Sequence, residues 1–222
     1  MSRIYDMTQE ENIFFAKRNI VDSIWKSVQL EGIGMTYPET QIIVDGMSVS
    51  GYSIDEINLV NDLKHGWQFV LENINGIIDI EYIKNLHRII GKFTVANAGS
   101  FRTIYDYAGI GGTDWKPEFP DEEKIKRDIS NIIGTKDDTD RAILLMLYCM
   151  RGQFFIDGNK RISMLLANKI MIENGCGLIS IPVKERLNFL TLLVEYYETN
   201  NSEKIIKFLY DNCLIGNNKI KK

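Results

Sequence analysis

Apolar positions recur at three-to-four spacing along most of the chain, a helical rhythm that fails at only a few places. Ile13, Phe14, Ile20, Val21, Ile24, Trp25 and Val28 set one face of a helix over residues 8–31, and Gly32 suits the left-handed cap that would end it. Residues 33–52 are turn-rich, with Gly34, Pro38, the pair Asp45-Gly46 and Gly51. Ser53, with Glu56 three residues on, reads as a capping box that opens a second helix to about Asn75. Asp79 caps a third, which runs through Leu86 and Ile90. Over 94–120 the rhythm breaks. Ile104, Tyr105, Tyr107 and Ile110 are strand-prone, and Gly111-Gly112 can turn the chain back toward Trp115, which predicts a short, exposed β-hairpin. Asp121 reopens a helix that closes near Gly134. Residues 138–150 are apolar nearly all round, so that helix belongs at the centre of a bundle. A helix from Asn159 to Asn174 ends at Gly175, two more lie near 182–199 and 202–213, and the polar tail 216–222 is expected to fray. The simplest account is one all-α domain over residues 1–222, a helical bundle with a single hairpin.

Composition narrows the function classes. With 222 residues, 45% of them hydrophobic and 25% charged, the chain can bury a core without disulfides or metals. A net charge of -4 argues against broad nucleic-acid binding, which needs basic surface to neutralise phosphates. Lys204, Lys207, Lys219, Lys221 and Lys222 form a small local exception. Cys149, Cys176 and Cys213 are widely spaced and odd in number, a pattern of reduced, buried thiols rather than a zinc site or disulfide framework. The opening stretch lacks an apolar run behind a basic start, and no segment approaches about 18 uninterrupted apolar residues. A cytoplasmic protein without a membrane partner is the expectation.

The chemistry concentrates in Gln153-Phe-Phe-Ile-Asp-Gly-Asn-Lys-Arg161. Gly158 lets the backbone approach a ligand closely. The amides of Gly158, Asn159 and Lys160 fall in the first turn of the following helix, where N–H groups lack helical partners and sit at the positive end of the dipole. That is a ready anion site. Lys160 and Arg161 add positive charge, and a guanidinium can grip a phosphate with two parallel hydrogen bonds. Asp157 precedes the nest, and a carboxylate beside bound phosphate suits Mg2+. Asp-Gly-Asn alone is ordinary turn chemistry, so the flanking residues carry the assignment.

Those flanking residues resemble the Fic motif, His-x-Phe-x-Asp/Glu-Gly-Asn-Gly/Lys-Arg: Phe155, Asp157, Gly158, Asn159, Lys160 and Arg161 all match in place. Ser27-Val-Gln-Leu-Glu31-Gly32 is similar to the Ser/Thr-x-x-x-Glu-Gly/Asn inhibitory helix of some Fic proteins. Ala98-Gly-Ser-Phe-Arg102 with Ile110-Gly-Gly112 resembles the start and body of the Fic flap, a β-hairpin that docks the target segment. The resemblance implies a Fic-type bundle that transfers AMP, or another phosphate-linked group, from ATP or another nucleotide with Mg2+ to a hydroxyl of a target protein. It assigns Asp157 to the metal, the loop amides with Gly158, Asn159, Lys160 and Arg161 to the nucleotide, and Phe155 to anchoring the loop. Ser27, Glu31 and Gly32 fall in the inhibitory motif, and Tyr107, Ile110, Gly111, Gly112 and Trp115 in the docking flap. Family members often pair, so a homodimer is a further expectation.

Two positions depart from the pattern. Gln153 stands where the family has its catalytic histidine, whose imidazole, with a pKa of about 6.5, takes the proton of the attacking hydroxyl. A carboxamide can orient a hydroxyl but cannot accept that proton. His65 and His87 are remote in sequence, and His87 reads as structural. Met164 stands where many AMP-transferring members have a second arginine that pairs with the inhibitory glutamate, so Glu31 either reaches Arg161 or Lys160 instead or has a vestigial clamp. Two functions therefore stand side by side: a transferase slowed at Gln153, and a non-catalytic module that binds a nucleotide and a partner chain.

Overall fold

The computed structural model describes residues 3–106 and 110–219. Ten α-helices form among the described residues: α1 (Gln9–Arg18), α2 (Ile20–Leu30), α3 (Tyr37–Val44), α4 (Ile54–Glu72), α5 (Ile80–Ile90), α6 (Glu122–Ile133), α7 (Asp138–Gly152), α8 (Asn159–Glu173), α9 (Arg186–Thr199) and α10 (Glu203–Asn212). Most starts follow from capping chemistry. Thr8, Thr36 and Ser53 each close a capping box with the glutamate three residues on, and Asp79, Asp121 and Asp137 each accept a hydrogen bond from a first-turn amide.

α7 and α8 form the axis. The apolar run of α7 buries Ala142, Ile143, Leu145, Met146, Leu147, Cys149 and Met150, and α8 is buried from Asn159 to Ile172 except at Lys160. α1, α4 and α5 also pack on α8, while α6 packs on α7. Burying a side chain of Leu, Ile or Met size contributes roughly 1.5–3 kcal/mol, so this axis anchors both ends of the loop between α7 and α8. The three cysteines are free and buried.

The expected bundle is the one that forms, with four local differences. The helix over 8–31 is two helices broken at Asn19, whose amide nitrogen donates to the Phe15 carbonyl and whose backbone N–H turns to Ala16. The turn-rich 33–52 contains α3, which uses Thr36 as its cap and Pro38 in its first turn, where a missing N–H costs nothing. The only sheet among the described residues pairs β1 (Leu178–Ile179) with β2 (Leu214–Ile215), antiparallel, beyond the reach of a two-residue sequence signal. The hairpin expected over 94–120 has no strand ladder among the described residues; Ile104 and Tyr105 form an exposed turn, and 113–120 is irregular. Its polar and aromatic groups turn instead to the body of the protein. Thr113 Oγ1 donates to Glu198, Trp115 stacks on Tyr197, and Arg102 donates to the Glu118 carbonyl.

Candidate active site

The loop between α7 and α8 is shaped by its own polar side chains. Gln153 ends α7 in a left-handed conformation, with φ 44° and ψ 54°. Asn159, at the first position of α8 and 5% exposed, closes the loop on itself: its Oδ1 accepts from Phe155 N at 3.0 Å and its Nδ2 donates to Phe155 O at 2.7 Å. The same Nδ2 lies 3.1 Å from Gln153 Oε1, while Gln153 Nε2 donates to Met150 O at 2.6 Å. Both ends of the Gln153 amide are therefore engaged. Gly158, at φ +78°, caps α8 without a side chain, and its N–H donates to Asp157 Oδ1 at 2.6 Å.

Charge is arranged on two levels. Lys160 Nζ lies 3.2 Å from Glu31 Oε2, and Arg161 Nε lies 3.5 Å from Glu31 Oε1. Glu31 caps α2, and Gly32 at φ +86° turns the chain away, which leaves the carboxylate facing α8. The Arg161 guanidinium is turned inward, with its side chain only 2% exposed. It donates to the Ile90 carbonyl at 3.2 Å and to Asp157 Oδ2 at 3.0 Å, leaving Nε without a hydrogen bond among the described residues. The Asp157 carboxylate stays 62% exposed at the loop's edge.

A cleft of about 280 Å³ opens over these groups. Glu31, Gln153, Asp157, Asn159 and Lys160 line its polar side; Ile156, Leu190, Val194 and Tyr197 with Ile110 and Gly111 line the other. Tyr197 Oη sits 3.5 Å from Gln153 Nε2, and burial raises its phenol above the ordinary range. Behind the loop, buried His87 stacks on Phe155 with ring centroids 3.6 Å apart. Gly99 N–H donates to its Nδ1 at 2.9 Å, so the ring is neutral with its proton on Nε2, which donates to Asp157 O at 2.9 Å. Burial lowers its pKa to about 4.

Comparison with known proteins places this arrangement. Residues 77–171 match the family model described as Fic/DOC family. Within that segment, which holds the loop between α7 and α8, the chain is similar to the Fic/DOC family. It is 29% identical over 181 residues to the protein adenylyltransferase fic-1 of Caenorhabditis elegans, covering 77% of this chain and 35% of that protein. It is 27% identical over 207 residues to the protein adenylyltransferase Fic of Aedes aegypti, covering 87% of this chain and 39% of that protein. The chain thus spans little more than a third of the length of these relatives. Among solved structures, a Fic-domain signaling protein from Bacteroides thetaiotaomicron superposes with a TM-score of 0.74 at 18% identity, over 91% of this chain and 84% of that one. C. elegans Fic-1 (aa134–508) superposes with a TM-score of 0.70 at 21% identity, over 90% and 62% respectively.

In this Fic fold the motif residues meet as the sequence suggests, with differences of orientation. Gln153, Asp157, Asn159 and Lys160 share the cleft, whereas Arg161 binds the loop from inside. Glu31 reaches the motif helix across the cleft, and Ser27 instead donates to Ser23 O within α2. Met164 is buried and lines a separate small cavity with Ser27 and Leu30 rather than the cleft. Ile110 and Gly111 line the cleft, Gly112 lies beside α9 at φ +87°, and Trp115 packs on Tyr197; Tyr107 lies outside the described residues. Sequence reasoning missed Leu190, Val194 and Tyr197, because their three-to-four spacing is equally that of a core face. It also missed Arg102, which donates to the Gln153 carbonyl. No described helix is long and apolar enough to cross a membrane.

Proposed function

We propose that residues 1–222 act as one Fic unit that binds a nucleotide with Mg2+ and transfers AMP, or another phosphate-linked group, to a hydroxyl of a target protein. The observation that carries this reading is the shape of the loop. Asn159 and Lys160, at the start of α8 where amides lack helical partners, line a cleft whose other lining residues are apolar enough to hold a base. The names of the relatives, protein adenylyltransferases, support the same reaction class.

One carboxylate at the cleft's edge fits Mg2+, which takes few protein ligands and completes its shell with phosphate oxygens and water. Among the described residues no group of three or more acidic, histidine or cysteine side chains converges, so the ion would arrive with the nucleotide. Asp157 would hold it, and the ion would neutralise charge developing on the phosphates. The amides of Gly158, Asn159 and Lys160 bind and orient the donor. The segment from 110 to 115 offers main-chain groups to an extended target segment.

Gln153 sets the rate. It orients the target hydroxyl and takes no proton from it, and losing a general base costs about 10²–10⁴ in rate. Incubating the protein with Mg2+ and nucleotides labelled in the transferred group tests the reading. Gln153→His should raise self- or partner-labelling by at least about 10²-fold over the protein with Gln153. Absence of label in both proteins across ATP, GTP and other donors would refute transfer. Saturable nucleotide binding in that case would leave the non-catalytic module, a reading favoured by the engagement of both ends of the Gln153 amide.

A further inference from the structure

We propose that His87 is a positioning residue for the motif loop: by holding the Asp157 carbonyl inward it keeps that carbonyl out of the cleft and fixes the peptide that carries the Gly158 N–H. This rests on the nucleotide reading above for its consequence, although not for its geometry.

An anion cradle made of backbone needs its carbonyls turned away, since each carries the wrong partial charge. Here four loop carbonyls are tied inward. Gln153 O accepts from Arg102 Nε, Phe154 O from Arg102 N at 2.9 Å, Phe155 O from Asn159 Nδ2 at 2.7 Å, and Asp157 O from His87 Nε2 at 2.9 Å. The last is the vulnerable one. Asp157 C=O and Gly158 N–H belong to one trans peptide unit and point in opposite directions. Gly158 has no Cβ and sits at φ +78°, so this peptide can rotate at little steric cost. Rotation would turn the carbonyl, with its partial negative charge, toward the cleft that Asp157 lines and break the Gly158 N–H contact with Asp157 Oδ1. The His87 hydrogen bond opposes that rotation.

His87 is itself fixed for the task. The Gly99 N–H on Nδ1 forces the proton onto Nε2, the ring is stacked at 8° on Phe155, and the side chain is fully buried. Gly99, at φ +85°, comes so close that a Cβ would lie 3.0 Å from the Arg88 side chain and the Lys84 carbonyl. The imidazole thus couples the 98–102 segment to the motif loop, which are far apart in sequence.

Two substitutions separate positioning from bulk. His87→Phe keeps the ring and its stack but deletes both nitrogens; His87→Gln keeps an amide donor for Asp157 O. Backbone nitrogen relaxation dispersion at the Gly158 amide should show one conformer in the natural protein and two exchanging conformers in His87→Phe, with α10 resonances unchanged. Binding of ATP with Mg2+ should weaken by at least about tenfold in His87→Phe and stay within about threefold in His87→Gln. Should His87→Phe fail to fold, His87→Gln decides alone: a tenfold loss or a doubled Gly158 signal in it overturns the proposal. An unchanged Gly158 signal in a folded His87→Phe, or changes spread evenly through α10, also overturns it. If the natural protein binds no nucleotide, the nucleotide reading falls, while the Gly158 signal still judges the role of His87.

Discussion

At the scale of single residues, the cleft sets charge against charge. Glu31 occupies the cationic face of α8, where it would lie against any bound phosphate. Like charges about 4 Å apart repel by roughly 1–4 kcal/mol depending on how much water screens them. Glu31→Gly should therefore tighten ATP binding by about tenfold in calorimetry, and an unchanged affinity would show that the carboxylate is no brake. His87 gives a pH signature. Burial holds it neutral down to a pKa of about 4, whereas the unfolded chain protonates it near 6.5, so acid favours the unfolded state. Its stabilising effect is complete above pH of about 6.5 and is lost as pH falls to about 4, roughly 3 kcal/mol in all. Asp62, whose carboxyl burial pushes up, works in the opposite sense, so a variant is the proper reference. Urea unfolding from pH 7 to pH 4 with a chelator present should cost the natural protein more stability than His87→Gln; parallel slopes would contradict the assignment. The motif residues were legible because they form one contiguous run, in which Gly158 and Asn159 make their contacts within the loop itself. His87 and Arg102 were not, because their partners lie 70 and 51 residues away and only the fold brings them together.

Among the elements, helix boundaries written in capping chemistry were readable and those made by tertiary contact were not. Ser53, Asp79 and Asp121 each open a helix as their sequence spacing predicts. α3 hid behind Pro38 and the Asp45-Gly46 turn, since proline in a first turn looks like a breaker without its context. The hairpin expected from β-branched and aromatic residues shows no strand pairing among the described residues: Thr113 and Trp115 find partners on α9, Ile104 and Tyr105 stay exposed, and Tyr107 lies outside the described residues. α4 carries a testable contact. A Cβ on Gly66 would lie 2.5 Å from Ile90 Cγ2 and 2.9 Å from Leu165 Cδ1, so this glycine lets α4 approach α5 and α8. Gly66→Ala gains helix propensity of about 1 kcal/mol but overpacks the contact, for a net loss of about 1–2 kcal/mol in denaturant unfolding. A gain in stability would show that the helices separate freely.

For the molecule as a whole, the α7–α8 axis, the C-terminal end of α2 at Glu31 and the α9 wall converge on one cleft. α7 and α8 are buried along most of their length, so the loop between them is held at both ends by the least deformable part of the protein. Pre-shaping of that kind lowers the ordering cost of binding, which is what a phosphate cradle requires. Calorimetric titration of ATP with Mg2+ into the natural protein, Glu31→Gly and Asn159→Ala tests the central claim most directly. Saturable binding in the first two, weakened at least about tenfold by Asn159→Ala, is the predicted result. No heat from ATP, ADP or GTP in either the natural protein or Glu31→Gly would contradict it.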